Sequence, residues 1–245
     1  MKIRNLILGL IVIIGNISCE KENQLPEPIT KADIVGSVNL YNEGTTKIDN
    51  SNMLIKIAGS EPLISGLTDA TGRFVLKDVP FDTYALEFEK SGFGTFKKFE
   101  IQHTNTGFPT VLSETPSLGE VSSTKVTDLS VAAQDNEVKI SITTDPAGNS
   151  NNRRYIRFFL SRDSNVSDES FLYHSLGLVS QINPYEVTLS QNDLINAGFT
   201  SGQTVYVKAY GDSFWSNEYL DPELDRKVFP NLNKNAAAAV SFVVP

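Results

Sequence analysis

Past residue 31 short apolar stretches alternate with turn signals, which is the mark of strands rather than of long helices. Val35, Val38 and Leu40 fall in the first stretch, and residues 53–57 form a second. Thr68-Asp69-Ala70-Thr71-Gly72-Arg73-Phe74 predicts a hairpin turn. Asp69 can hydrogen-bond its own backbone there, and Gly72 supplies a positive φ. From Tyr84 to Glu89, Tyr84, Leu86 and Phe88 alternate with Ala85, Glu87 and Glu89. Such a strand buries one face and wets the other. No segment of this half predicts a helix.

Residues 113–123 are rich in Ser, Thr, Pro and Gly and read as a linker. A second strand series follows it. Val138, Ile140 and Ile142 alternate strictly, and Ile156, Phe158 and Leu160 share one face of a longer strand. Residues 184–189, 204–210 and 240–244 complete the series. Residues 190–198 predict one short helical turn, capped by Ser190, favoured at its positive end by Asp193 and stopped by Gly198. The predicted class is all-β: two tandem antiparallel β-sandwiches, at 32–115 and 121–245.

The first of these resembles the carboxypeptidase regulatory-like domain, a transthyretin-like sandwich. The matching residues are Ile34-Val35-Gly36-Ser37-Val38, Thr68-Asp69 with Gly72-Arg73-Phe74, Val79-Pro80, Tyr84, and Lys90-Ser91-Gly92-Phe93. The second resembles a fibronectin type III or related immunoglobulin-like domain, with Val205, Val207 and Ala209 matching the penultimate strand. The corner tyrosine of that family would fall near Gln203 and is absent. These resemblances imply folds and say almost nothing about activity.

The start of the chain has a different pattern. Lys2 and Arg4 precede an unbroken apolar run over residues 6–14, and Gly15-Asn16-Ile17-Ser18 leads into Cys19. This is the charged, apolar, small-residue order of a secretory signal. The run is too short to span a bilayer comfortably, which takes about 20 apolar residues. The arrangement resembles the lipobox of bacterial lipoproteins. That resemblance implies a signal peptide over 1–18 and acylation of Cys19, the only cysteine in the chain. An ordinary signal peptide, or an uncleaved anchor, would place the same residues otherwise. Residues 19–31 then read as a flexible tether, polar and bearing Pro26 and Pro28. The charged cluster at Glu20-Lys21-Glu22 resembles display signals of lipoproteins, which implies the outer membrane, and its cell-surface face over the periplasmic one.

Charge narrows the partners. The chain carries 21 Lys and Arg against 29 Asp and Glu, a net charge of -8. Loss of residues 1–18 removes Lys2 and Arg4 and no acid, so the mature balance moves to -10. Such a surface repels phosphate backbones and excludes nucleic acid as the expected partner. One cysteine allows no intrachain disulfide and no cysteine-based zinc cluster.

No catalytic set is legible. His103 and His174 fall in different predicted domains and read as surface or strand-end residues. Asp163, Asp168 and Glu169 lack the alternate-residue spacing of a calcium loop and read as a solvated acidic loop. No cofactor or metal is expected. The candidate site is the excursion over residues 211–235, which holds Phe214, Trp215, Tyr219, Asp221 and Arg226. Long loops on compact sandwiches carry function or are disordered. Aromatics beside carboxylates suit a sugar ring or a protein hot spot. They equally suit a flap that folds back over a sheet edge or an interdomain groove. The expectation is a non-catalytic, lipid-anchored binding or structural module. Its partner would be an envelope protein, or a glycan captured beside an outer-membrane nutrient importer.

Overall fold

The computed structural model describes residues 29–245. Cys19, the signal over 1–18 and residues 19–28 of the expected tether over 19–31 lie outside the described residues, and Lys31 of that tether already belongs to a strand. The chain is all-β, with one short helix among the described residues.

Nine strands build the first sandwich: β1 (Lys31–Ser37), β2 (Asn39–Tyr41), β3 (Leu54–Ile57), β4 (Ser65–Leu67), β5 (Arg73–Pro80), β6 (Asp82–Glu89), β7 (Phe96–His103), β8 (Thr110–Val111) and β9 (Ser117–Gly119). One sheet has the order β5-β1-β8 and the other β4-β3-β6-β7, while β2 pairs with β9. Ladders are antiparallel except β1–β8 and β2–β9, which run parallel. Ile34, Leu40, Ile55, Leu76, Leu86 and Phe88 are fully buried between the layers. The hairpin at Asp69 forms as its sequence predicts. The Asp69 carboxylate accepts from the Thr71 and Arg73 amides, and Gly72 has φ 85°.

The stretch read as a linker is largely built into this domain. Leu118 in β9 pairs with Leu40 in β2 and is buried in the first core. A three-residue strand among Ser, Thr and Pro has too few apolar positions to show a period.

The second sandwich comprises β10 (Lys125–Gln134), β11 (Glu137–Asp145), β12 (Arg154–Ser161), β13 (Tyr173–His174), β14 (Leu178–Ser180), β15 (Tyr185–Ser190), α1 (Gln191–Asn196) and β16 (Thr204–Asp212). A small hairpin of β17 (Tyr219–Asp221) and β18 (Arg226–Val228) follows, and β19 (Val240–Val243) closes the chain. The sheets are β10-β11-β15 and β13-β12-β16-β19, with β14 also against β12. Helix α1 is capped by Ser190 as predicted, and Asp193 completes a reciprocal capping box. The Ser190 side chain accepts from the Asp193 amide, and the Asp193 carboxylate accepts from the Ser190 amide.

Strand β12 is buried along its whole length. Ile156, Phe158 and Leu160 face the main core, as their spacing predicts. The opposite face is covered as well. Phe159 and Tyr210 pack there with Val166, Phe229 and Leu232 in a separate apolar cluster. Part of that cover comes from residues 229–232, within the excursion.

Candidate functional site

The excursion leaves β16 at Asp212 and first meets a buried ion network. Arg157 of β12 donates from Nε to Asp212 Oδ2 at 2.8 Å and from Nη1 to the Ser175 carbonyl at 2.9 Å. Its Nη2 lies 2.8 Å from Glu218 Oε2, and Lys227 Nζ lies 3.0 Å from Glu218 Oε1. The guanidinium also sits over the Phe229 ring, 4.6 Å from its centroid. Burial pushes the Asp212 carboxyl up, against the pull of Arg157. Burial also raises Glu218, but its hydrogen bond from Lys227 and the charges of Arg157 and Lys227 outweigh that and hold it below its ordinary value. A charge buried this deeply persists only when paired and hydrogen-bonded.

Two asparagines then lock the sandwiches together. Asn217 is buried and Asn231 has no exposed surface. Asn217 Oδ1 accepts from the Gly119 amide at 2.8 Å, and its Nδ2 donates to the Gly119 carbonyl and to Asn231 Oδ1, both at 3.0 Å. Asn231 Oδ1 also accepts from the Gly94 amide at 3.0 Å, while its Nδ2 donates to the Gly119 and Trp215 carbonyls. The backbones approach too closely for any side chain here. A Cβ at Gly94 would lie 2.3 Å from the Pro230 carbonyl oxygen, and one at Gly119 2.5 Å from that of Trp215. A second tie runs through Glu43, whose carboxylate accepts from Arg154 Nη1 at 2.8 Å and from the amide and hydroxyl of Ser123. The Phe214 amide donates to the Glu43 carbonyl.

The five expected site residues therefore part company. Tyr219 leans on Phe96 and Phe99 of the first domain, with ring centroids 6.0 Å away in each case. Asp221 is buried, and its carboxylate accepts from the Glu223 and Leu224 amides in the β17–β18 turn. Arg226 Nη1 donates to the Asp168 and Lys227 carbonyls. Phe214 and Trp215 alone line an open groove between the sandwiches. Trp215 packs against Tyr41 at 5.0 Å with a 33° tilt, and Phe214 meets it edge-on at 5.1 Å. The indole Nε1 is buried without a hydrogen-bond partner among the described residues. The groove encloses about 510 Å³ and is lined also by Phe96, Lys98, Glu114, Ser117 and Glu218. Lys98 and Glu114 pair at 2.7 Å on its first-domain wall.

Lys98, Glu114 and the two asparagines carried no visible signal. The asparagines meet their first-domain partners 98 to 137 positions away, and Asn beside Ser or Pro reads as a turn. His103 ends β7 as expected, but it is wholly buried and not a surface residue. Its Nε2 donates to the Val79 carbonyl at 3.0 Å, and Nδ1 lies 2.7 Å from the Thr110 hydroxyl. Asp168, expected in a solvated loop, is buried and ion-paired with Lys234. For Asp168 the excursion explains the difference, since Lys234 pairs with its carboxylate and Arg226 donates to its carbonyl. Among the described residues no three His, Cys, Asp or Glu side chains are grouped to hold a metal ion.

No family model matches the chain, and no curated protein matches it either. Several solved structures align over most of its length. A candidate carbohydrate-binding protein from Bacteroides uniformis is 16% identical, with 87% of this chain and 99% of that one covered and a TM-score of 0.32. Two proteins of the DUF3823 family align similarly. One, from Bacteroides ovatus, is 11% identical over 88% of this chain and all of its own, with a TM-score of 0.30. The other, from Bacteroides uniformis, is 12% identical over 88% and 100%, with a TM-score of 0.28. At such scores these likenesses decide neither ligand nor activity.

Proposed function

We propose that the chain is a non-catalytic, lipid-anchored envelope protein that presents two sandwiches as one fixed binding or structural module. The observation that carries this is the buried asparagine knot. Hinged domains meet through small, polar, wet contacts. Here two side chains bury their amides in a network that joins residues 94, 119, 217 and 231. A module held this way can offer a surface built from both domains. The apolar start of the chain and Cys19 supply its anchor, since two or three acyl chains on one residue hold a membrane stably where a single chain does not.

Labelled palmitate fed to cells is expected to mark the wild type and not Cys19→Ala. Protease shaving of intact cells is expected to release the two sandwiches, and crosslinking before shaving to trap an envelope neighbour. Steady hydrolysis of peptides, esters or glycans by the purified chain would sink the non-catalytic reading.

A further inference from the structure

We propose that the groove between the sandwiches takes one neutral sugar ring of a glycan. This rests on the binding-module reading and names its ligand class. The groove volume of about 510 Å³ falls inside the range of small-ligand sites, roughly 300–1,000 Å³. Its wall is aromatic on the side of the second domain, where Phe214 is 45% exposed and Trp215 partly so. Aromatic walls accept the C–H face of a pyranose and need no charge to do so.

The charge pattern selects among sugars. The chain is acidic overall, yet each charged group at the groove has a partner. Lys98 holds Glu114, and Glu218 is shared by Arg157 and Lys227. Among the described residues that line the groove no cation is left to receive a carboxylate or sulfate, and the surrounding field repels anions. The paired Lys98 and Glu114 still have a donor and acceptors for hydroxyls, and the Ser117 hydroxyl on β9 adds both. These are the partners of a neutral polyol. The wall is also fixed in advance, because Asn231 Nδ2 holds the Trp215 carbonyl at 2.8 Å. A site ordered before binding spends less of its contact energy on ordering.

Trp215 is the only tryptophan in the chain, so its fluorescence reports on this groove alone. The intact mature protein would be titrated with neutral gluco-, manno- and xylo-hexaoses and with oligogalacturonate, with calorimetry in parallel. At least one neutral hexaose is expected to give a saturable change, and oligogalacturonate none. Raising salt from 50 to 500 mM is expected to alter the affinity by less than about twofold, because no ionic contact is involved. Phe214→Ala, at an exposed ring, is expected to weaken binding about tenfold while the chain stays folded. Calorimetry on Trp215→Ala is expected to show no binding. Silence across all neutral sugars, preference for the anionic one, or unchanged affinity in Phe214→Ala would each overturn the assignment. Silence together with a persistent crosslinked envelope neighbour removes only the sugar. Silence with no neighbour and no palmitate label removes the module reading as well.

Discussion

Asn217 and Phe214 stand three residues apart in one excursion. The first is sealed between the sandwiches with its amide fully bonded, and the second stands at the mouth of a groove with 45% of its surface exposed. The polar residue is architectural. The apolar one, expected in the binding loop, is free to meet a partner. Further along, Asp221 is also held inside, capping a turn, while Phe229 is buried as an apolar residue ordinarily is. Burial thus sorts the excursion into a part that holds the module together and a part that can bind. The two parts respond differently to mutation.

The largest effect is expected at the base of the excursion. Asp212→Ala leaves the Arg157 guanidinium buried with one anionic partner fewer. Losing one member of a buried pair costs about 3–5 kcal/mol. Urea unfolding is expected to show a drop of that order. Arg157→Met in the same chain is expected to recover part of it, since an uncharged partner no longer needs the carboxylate. No recovery would mean that Arg157 is held chiefly by Glu218 and the Ser175 carbonyl.

Next comes the knot. Asn231→Ala strips partners from the Gly94 amide and from two carbonyls. It is expected to lose about 1–3 kcal/mol, the desolvation penalty of buried groups left unpaired. Asn217→Ala should lose a similar amount. The double variant should lose clearly less than the two together, because they share one hydrogen bond and the Gly119 carbonyl. Additive losses would show two separate ties rather than one network. Small-angle scattering would show the second consequence, a wider spread of interdomain distances in the double variant.

Much of the scaffold was legible because its signals are local. The alternation in β11 and β6, the Asx turn at Asp69 and the Ser190 cap of α1 are all written within ten residues of sequence. What escaped has a nonlocal cause. The second buried face of β12 needs cover that arrives 70 residues later. Strands β8, β9, β13 and β14 have only two or three residues, too few to show a period. The groove was half legible: its Phe214 and Trp215 wall lies in the expected excursion, but its other wall, with Lys98 and Glu114, comes from the first domain. Nothing in a linear pattern ties residue 98 to residue 215.

A smaller effect, with a pH signature, is expected at Glu218, which touches both parts. Its folded-state pKa lies below the ordinary 4.5, so the ionised form is the stabilising one. The contribution is fully present above about pH 4.5 and is lost as pH falls through the lower folded value. Glu218→Gln is expected to lose roughly 1 kcal/mol at pH 7, the scale of a partly exposed pair. As pH falls through that lowered value the variant and the wild type should converge. A constant gap at every pH would show that Glu218 acts through packing and not through charge.

The smallest effect on stability is expected at Phe214, and that is what gives the site its sharpest test. Its ring touches Tyr155 and Trp215 edge-on, at 5.6 and 5.1 Å. Removing it forfeits aromatic contacts worth about 0.5–1.5 kcal/mol but opens no buried cavity. The midpoint of thermal unfolding should move by only a few degrees, well short of the shift at Asp212. An exposed aromatic with so little structural work to do is hard to explain by folding alone. If Phe214→Ala instead destabilises the chain as much as Asn231→Ala does, the ring belongs to the interdomain seal. The division between the holding part and the binding part of the excursion would then fail at the residue where it is drawn most clearly.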